Sequence, residues 1–117
     1  MATWTSAQLA NQVLKELGIV GIGQTASAAD TAKVTDVWGS IYARLRRQRL
    51  ASWGSEAISE EAQLPVAKYV AGLVASSFNF RGNDLLAHQA TGQEGLRELQ
   101  EVEAGDKHPS PPKFYDY

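Results

Sequence analysis

Between residues 27 and 80 the apolar side chains return at every third or fourth position, and this spacing limits what the chain can fold into more than any other feature. Val34, Val37, Trp38, Ile41, Tyr42 and Leu45 form one stripe. Val66, Tyr69, Val70, Leu73, Ser77 and Phe80 share a second face. A period near 3.6 is that of an amphipathic helix, so the stretch predicts two helices facing a common core. They are joined by a corner at residues 50–63 that carries Trp53-Gly54, with a possible short extended piece near Ala57-Ile58. In a chain of 117 residues these two stripes supply most of the available core. A single domain of that size buries roughly two-thirds of its unfolded surface.

The flanking segments extend the helical reading. Thr5 and Gln8 have the spacing of a capping box, and Leu9, Val13, Leu14 and Leu17 follow at helical intervals up to a stop at Gly18. The glycine-rich connection over residues 19–25, with Gly18 before it, lacks the preceding strand and the Gly-Lys-Ser/Thr of a phosphate loop, so it reads as a flexible link. Ser27 caps the second helix, which runs to about Gln48. Pro65 suits the first turn of the third helix. On that helix Lys68, Gly72, Ala75 and Asn79 make a thin face that another helix can approach closely, from this subunit or a neighbour. Asn83 caps a fourth helix. Gly92 and Gly95 weaken it by about 1 kcal/mol each, and Thr91 with Glu94 offers a second capping box where it restarts. Leu96, Leu99 and Val102 carry the pattern to about Ala104. The expected fold class is all-α: a helical body over residues 1–104 and an extended, proline-rich tail over residues 105–117.

Composition narrows the function classes. A net charge of −2 argues against a dedicated nucleic-acid binder, which usually carries a basic excess. The absence of cysteine removes disulfides, thiolate metal sites and cysteine nucleophiles, and suits a reducing compartment. The N-terminus shows no basic-then-apolar signal pattern. The longest apolar run, residues 66–78, is interrupted by Lys68 and falls short of the ~20 residues of a membrane span. These features predict a soluble protein made in the cytoplasm, with no membrane partner.

Two clusters are candidates for binding. Arg44, Arg46, Arg47 and Arg49 crowd the end of the second helix, where cations complement the helix dipole. They read either as a phosphate-binding patch or as salt-bridging groups within or between subunits. At 100° per residue Arg44 and Arg47 point one way while Arg46 and Arg49 point roughly the other. A helix lying in one groove would gather them on one side, so the salt-bridge reading is preferred. The fork geometry of Arg makes such contacts specific. In the tail, Pro109, Pro111 and Pro112 forbid regular helix, and Phe114, Tyr115 and Tyr117 follow. Extended segments with aromatic anchors dock in grooves or on sheet edges, so the tail reads as a docking peptide beside the alternative of a disordered terminus.

Catalysis finds little to work with. His88 and Asp84 are one turn apart but no third ligand is in view, and a solvated helix surface gives the same pattern. Glu60-Glu61 and Glu101 with Glu103 look like solvated acidic faces. Neither a nucleophile–base–orienter set nor a cofactor motif can be assembled, so no enzyme is expected. Trp4, Trp38 and Trp53 read as anchors of core or interface.

Taken in order, these residues resemble the small helical head–tail adaptors of tailed bacteriophages, also called head-completion, connector or packaged-DNA-stabilising proteins. The likeness runs over residues 5–104. It lies in the opening helix ending Leu14-Lys15-Glu16-Leu17-Gly18-Ile19, and in a long second helix carrying Val37-Trp38 before Trp53. It continues through the acidic corner into Leu64-Pro65-Val66-Ala67-Lys68-Tyr69-Val70-Ala71, then Leu73 and Phe78. The resemblance implies a homo-oligomeric ring, commonly a dodecamer, beneath the portal protein of a DNA-filled head. Such a ring closes the head, extends the DNA channel and receives the next tail component, without sequence-specific DNA binding and without cofactors. The protein would sit at the head–tail junction of the virion, with its C-terminal tail reaching the portal and its acidic fourth helix lining or surrounding the channel. The competing reading is a small helical DNA-binding or regulatory protein that uses Arg44, Arg46, Arg47 and Arg49.

Overall fold

The computed structural model describes residues 2–21 and 23–107. Four α-helices follow in order: α1 (Ser6–Glu16), α2 (Ala28–Arg47), α3 (Glu60–Val74) and α4 (Gly82–Lys107), with a single 3₁₀ turn, Ala75–Phe78, between the last two. The expected all-α class is what the chain adopts. Among the described residues the only extended pairing is two isolated bridges, Trp4 with Ile58 and Gly54 with Ala57. The first is closed by two backbone hydrogen bonds of 3.0 and 2.9 Å, so the extended piece foreseen near Ala57-Ile58 exists but pairs with the N-terminus.

Local chemistry explains the helix ends. The Thr5 hydroxyl accepts from the Gln8 N–H at 3.3 Å while the Gln8 side chain accepts from the Thr5 N–H at 2.9 Å, the reciprocal box read from the sequence. α1 stops at Gly18, whose φ of 76° costs glycine nothing. There the Ile19 N–H reaches back to the Leu14 carbonyl at 2.9 Å. Ser27 caps α2 by accepting from the Asp30 N–H at 3.1 Å. α2 closes with the same six-residue return, Leu50 N–H to Leu45 carbonyl at 2.8 Å, but here Arg49 takes the left-handed position at φ 63°. A residue with a Cβ pays roughly 1–2 kcal/mol for that conformation.

Two helices begin or run differently from the expectation. α3 starts at Glu60, so Pro65 lies inside the helix rather than in its first turn, and the Glu61 carbonyl loses its usual acceptance from position 65. Packing holds this extra turn. Ala62 is fully buried, and the Gln63 amide donates to the Ala2 carbonyl at 3.0 Å and the Ile58 carbonyl at 3.2 Å. α4 does not restart at Thr91. It is continuous from Gly82 to Lys107, with Asn83 inside its first turn and three residues more than foreseen at its end. The Thr91 hydroxyl donates to the Ala87 carbonyl at 3.1 Å within the helix instead of capping one.

The reason lies in Gly92 and Gly95. A Cβ on Gly92 would stand 2.9 Å from the Gly72 Cα, and one on Gly95 would stand 2.6 Å from the Pro65 carbonyl oxygen. The backbones of α3 and α4 are in direct contact along this antiparallel hairpin. The thin face of α3 is therefore covered within the subunit by α4. The Lys68 ammonium adds a 3.3 Å contact to Glu98 across the same seam.

α3 is the central element, packed on α4 on one side and on α1 on the other, with α2 lying chiefly against α1. Leu9, Val13 and Leu14 of α1, Val34, Trp38, Ile41 and Leu45 of α2, Val66 and Val70 of α3 and Leu99 of α4 form one continuous core. Val37 and Leu73 were counted among the core stripes but are 37% and 39% exposed. Val37 lies roughly 70° from the centre of the α2 stripe at 100° per residue, which carries it out of the seam.

Candidate functional site

The most distinctive surface is built where α2 ends. A strap, residues 50–55, leaves the helix and runs back along it. Two indoles fix it there. The Trp38 Nε1–H donates to the Ser55 carbonyl at 3.1 Å, and the Trp53 ring stacks on Trp38 with centroids 6.3 Å apart and planes 9° from parallel. The Tyr42 hydroxyl donates to the Trp53 carbonyl at 2.7 Å. Trp38 and Trp53 are thus the core anchors expected of them, while Trp4 is half-buried beside Ile58. The buried Trp53 Nε1–H has no hydrogen-bond acceptor among the described residues, a cost the aromatic stack must offset.

Arg44, Arg46, Arg47 and Arg49 surround this end of α2, and all four are exposed. Arg46 folds over Tyr42, donating to its hydroxyl at 3.3 Å with the guanidinium 5.9 Å from the ring centroid. Among the described residues no carboxylate lies within ion-pair distance of Arg44, Arg46 or Arg47. A shallow depression of about 260 Å³ opens between Arg46, Arg49, Ala51 and Ser52.

Carboxylates gather at the other end of the strap. Glu56 accepts from the Ser6 backbone N–H at 2.9 Å. That hydrogen bond, reinforced by the Ser6 hydroxyl, holds the Glu56 carboxyl below its ordinary pKa of 4.5 against a slight opposing effect of burial. Glu60 and Glu61 follow in the first turn of α3, exposed, where the helix dipole favours negative charge. The acidic residues of α4 are different. Glu94 and Glu101 flank Arg97 at 3.8 and 3.3 Å, Glu98 meets Lys68, and Glu103 is buried. The helix read as an acidic wall has much of its charge compensated within the subunit.

The remaining candidates separate. His88 packs edge-on against Phe80, with centroids 4.5 Å apart, and no group of three or more potential metal ligands occurs among the described residues. Pro109, Pro111, Pro112, Phe114, Tyr115 and Tyr117 lie outside the described residues. No helix among the described residues is long and apolar enough to cross a membrane. One feature had no signal in the sequence. A cleft of about 550 Å³ between α1 and the loop before α2 is lined by Trp4, Gln8, Asn11, Gln12, Lys15 and Thr25. Its amides sit on the polar side of α1. It presents hydrogen-bonding groups and one cation, Lys15. No family model, curated protein or solved structure matches this chain.

Proposed function

We propose that the protein is a head–tail adaptor of a tailed bacteriophage. It forms a homo-oligomeric ring on the portal protein, closes the DNA-filled head and continues the DNA channel toward the next tail component. One observation carries the reading. Arg44, Arg46 and Arg47 stand exposed at the end of a rigid helix with no carboxylate partner among the described residues of their own chain. Arginine in such a place is the residue type enriched at protein interfaces, where its planar fork binds a partner carboxylate with fixed geometry. The all-α body supports the same reading, since it offers docking surfaces rather than a reactive centre.

In this proposal residues 108–117 make the contact to the portal, with Phe114, Tyr115 and Tyr117 as anchors. The test is mass. Sedimentation of the purified protein with portal rings should give a complex heavier than the portal alone. A chain ending at Lys107 keeps all of α4 and should keep its helical signal while losing that complex. A wild-type protein that never co-sediments with portals removes the adaptor reading. Undiminished co-sedimentation of the shortened chain removes the role of the tail.

A further inference from the structure

We infer that residues 108–117 fold back along α4 and seat their aromatics in a cleft on the α3–α4 seam of the same chain. The seat does not rest on the adaptor reading, which bears only on what later draws the tail out.

The close approach of α3 and α4 opens a notch in the surface. Gly72 and Gly92 bring the two backbones together and put no side chain over the contact. With Tyr69, Leu73, Gln89 and Gln93 they line a cleft of about 380 Å³. That lies in the range of about 300–1,000 Å³ in which proteins hold ligands. Two observations mark the cleft as a place for an occupant. Leu73 is 39% exposed and Leu86, one turn before Gln89, is 62% exposed, so apolar surface stands open on both helices. Tyr69 is only 5% exposed, yet its hydroxyl makes no hydrogen bond among the described residues and keeps contact with solvent. No charged residue lines the cleft. A phosphate or a carboxylate finds no counter-charge there, whereas a neutral peptide loses nothing by entering.

A neutral track leads from the cleft toward the end of α4. Gln93, Leu96 and Gln100 follow Leu86 and Gln89 along one side of the helix at its 3.6-residue period. Extended peptides are held by groups that pair with their backbone and by pockets for their side chains. A stretch with Pro109, Pro111 and Pro112 lacks three N–H groups and calls chiefly for donors, which the Gln carboxamides and the Tyr69 hydroxyl supply. The reach also fits. Gln93 stands fourteen residues before Lys107, roughly 21 Å along the helix at 1.5 Å per residue. After a reversal of two residues, extended chain rising about 3.1 Å per residue carries Phe114, Tyr115 and Tyr117 roughly 16, 19 and 25 Å back. The cleft lies inside that span. A segment tethered so closely meets its site at an effective concentration in the millimolar range, which favours its own chain over a second copy.

A spin label tests the seat. The sequence has no cysteine, so Asp116→Cys carries a nitroxide at a single site of the full chain. Amide NMR signals then report what the label approaches. Those of Leu73, Gln89, Gly92 and Gln93 should lose most of their intensity, while those of α1 and α2 stay sharp. Gln93→Arg alters an exposed position and obstructs the cleft, and far-UV circular dichroism checks that the helices remain. It should restore the signals of Leu73, Gln89 and Gly92 and leave broadening only beside Lys107. Phe114→Ala with Tyr115→Ala and Tyr117→Ala should do the same. Broadening of the cleft that survives either variant overturns the inference. So does a loss spread evenly over the surface or gathered elsewhere, such as beside Trp4. A mixture of isotope-enriched chains lacking the nitroxide with unenriched chains carrying it reads contact between copies. Broadened cleft signals in that mixture assign the seat to a neighbouring chain and overturn the inference. A tail that seats as described but brings down no portal leaves the inference standing and counts against the adaptor reading alone.

Discussion

Glu56 shows how a single surface residue ties the N-terminus to the strap. Its carboxylate receives the Ser6 N–H, one of the donors that the first turn of α1 cannot satisfy within the helix. The bond favours the ionised form, so the pKa in the folded chain is lower than in the unfolded one. A depressed carboxyl stabilises the fold at pH values above 4.5, and the contribution is lost as pH falls through the folded-state value. Glu56→Gln should therefore be less stable than wild type near neutrality, and urea melts repeated near pH 3 should bring the two curves together. A gap of the same size at both pH values would mean that the charge is not what holds Ser6. Arg49 is the opposite kind of residue. It sits in a left-handed position that glycine occupies at the end of α1, so the chain has kept an arginine where the backbone would favour its absence.

At the scale of the helices, glycine has two different meanings. Gly39 lies on the exposed side of α2, with nothing within 4 Å of where a Cβ would stand. Gly95 would place a Cβ 2.6 Å from the Pro65 carbonyl oxygen, 2.7 Å from the Lys68 Cβ and 2.9 Å from the Tyr69 nitrogen. Both substitutions to alanine improve helix propensity by about 1 kcal/mol. Gly39→Ala should show that gain as a melting temperature raised by a few degrees. Gly95→Ala should melt lower, because prising α3 from α4 costs about 1–3 kcal/mol. Equal rises for both would mean that the helices do not touch there. The same contrast explains which elements were legible in the sequence. Thr5 with Gln8, Gly18 and Ser27 act through neighbours three to five residues away, and these ends of α1 and α2 can be read directly. Pro65, Gly92 and Gly95 act through partners twenty to thirty residues distant. Read locally, they shortened α3 and broke α4; the glycine seam makes α4 whole, and the burial of Ala62 with the hydrogen bonds of Gln63 holds the first turn of α3. The arginine corner was visible as composition, but the lack of a carboxylate beside Arg44, Arg46 and Arg47 among the described residues depends on where the strap runs, which Trp38 and Trp53 decide.

At the scale of the whole molecule, the described chain is a layered stack measuring 50 × 31 × 28 Å overall, with α3 between α1 and α4. Its most extensive helix pairing is α3 with α4, and these two helices are neighbours in sequence, separated only by the 3₁₀ turn and the three residues after it. Contacts that close a short loop form fast and sacrifice little chain entropy. The hairpin should be the first unit to form and the last to open, with α1 and α2 docking later on the free side of α3. In native-state hydrogen exchange the amides around Val70 and Leu99 should outlast those of α1 and α2. Equal protection in all four helices would instead describe one cooperative unit. The glycine seam also bears on synthesis. A ribosome releases α1 and α2 before the helix they lean on, so the amino-terminal half must wait, its apolar stripe uncovered, until the second half has folded behind it.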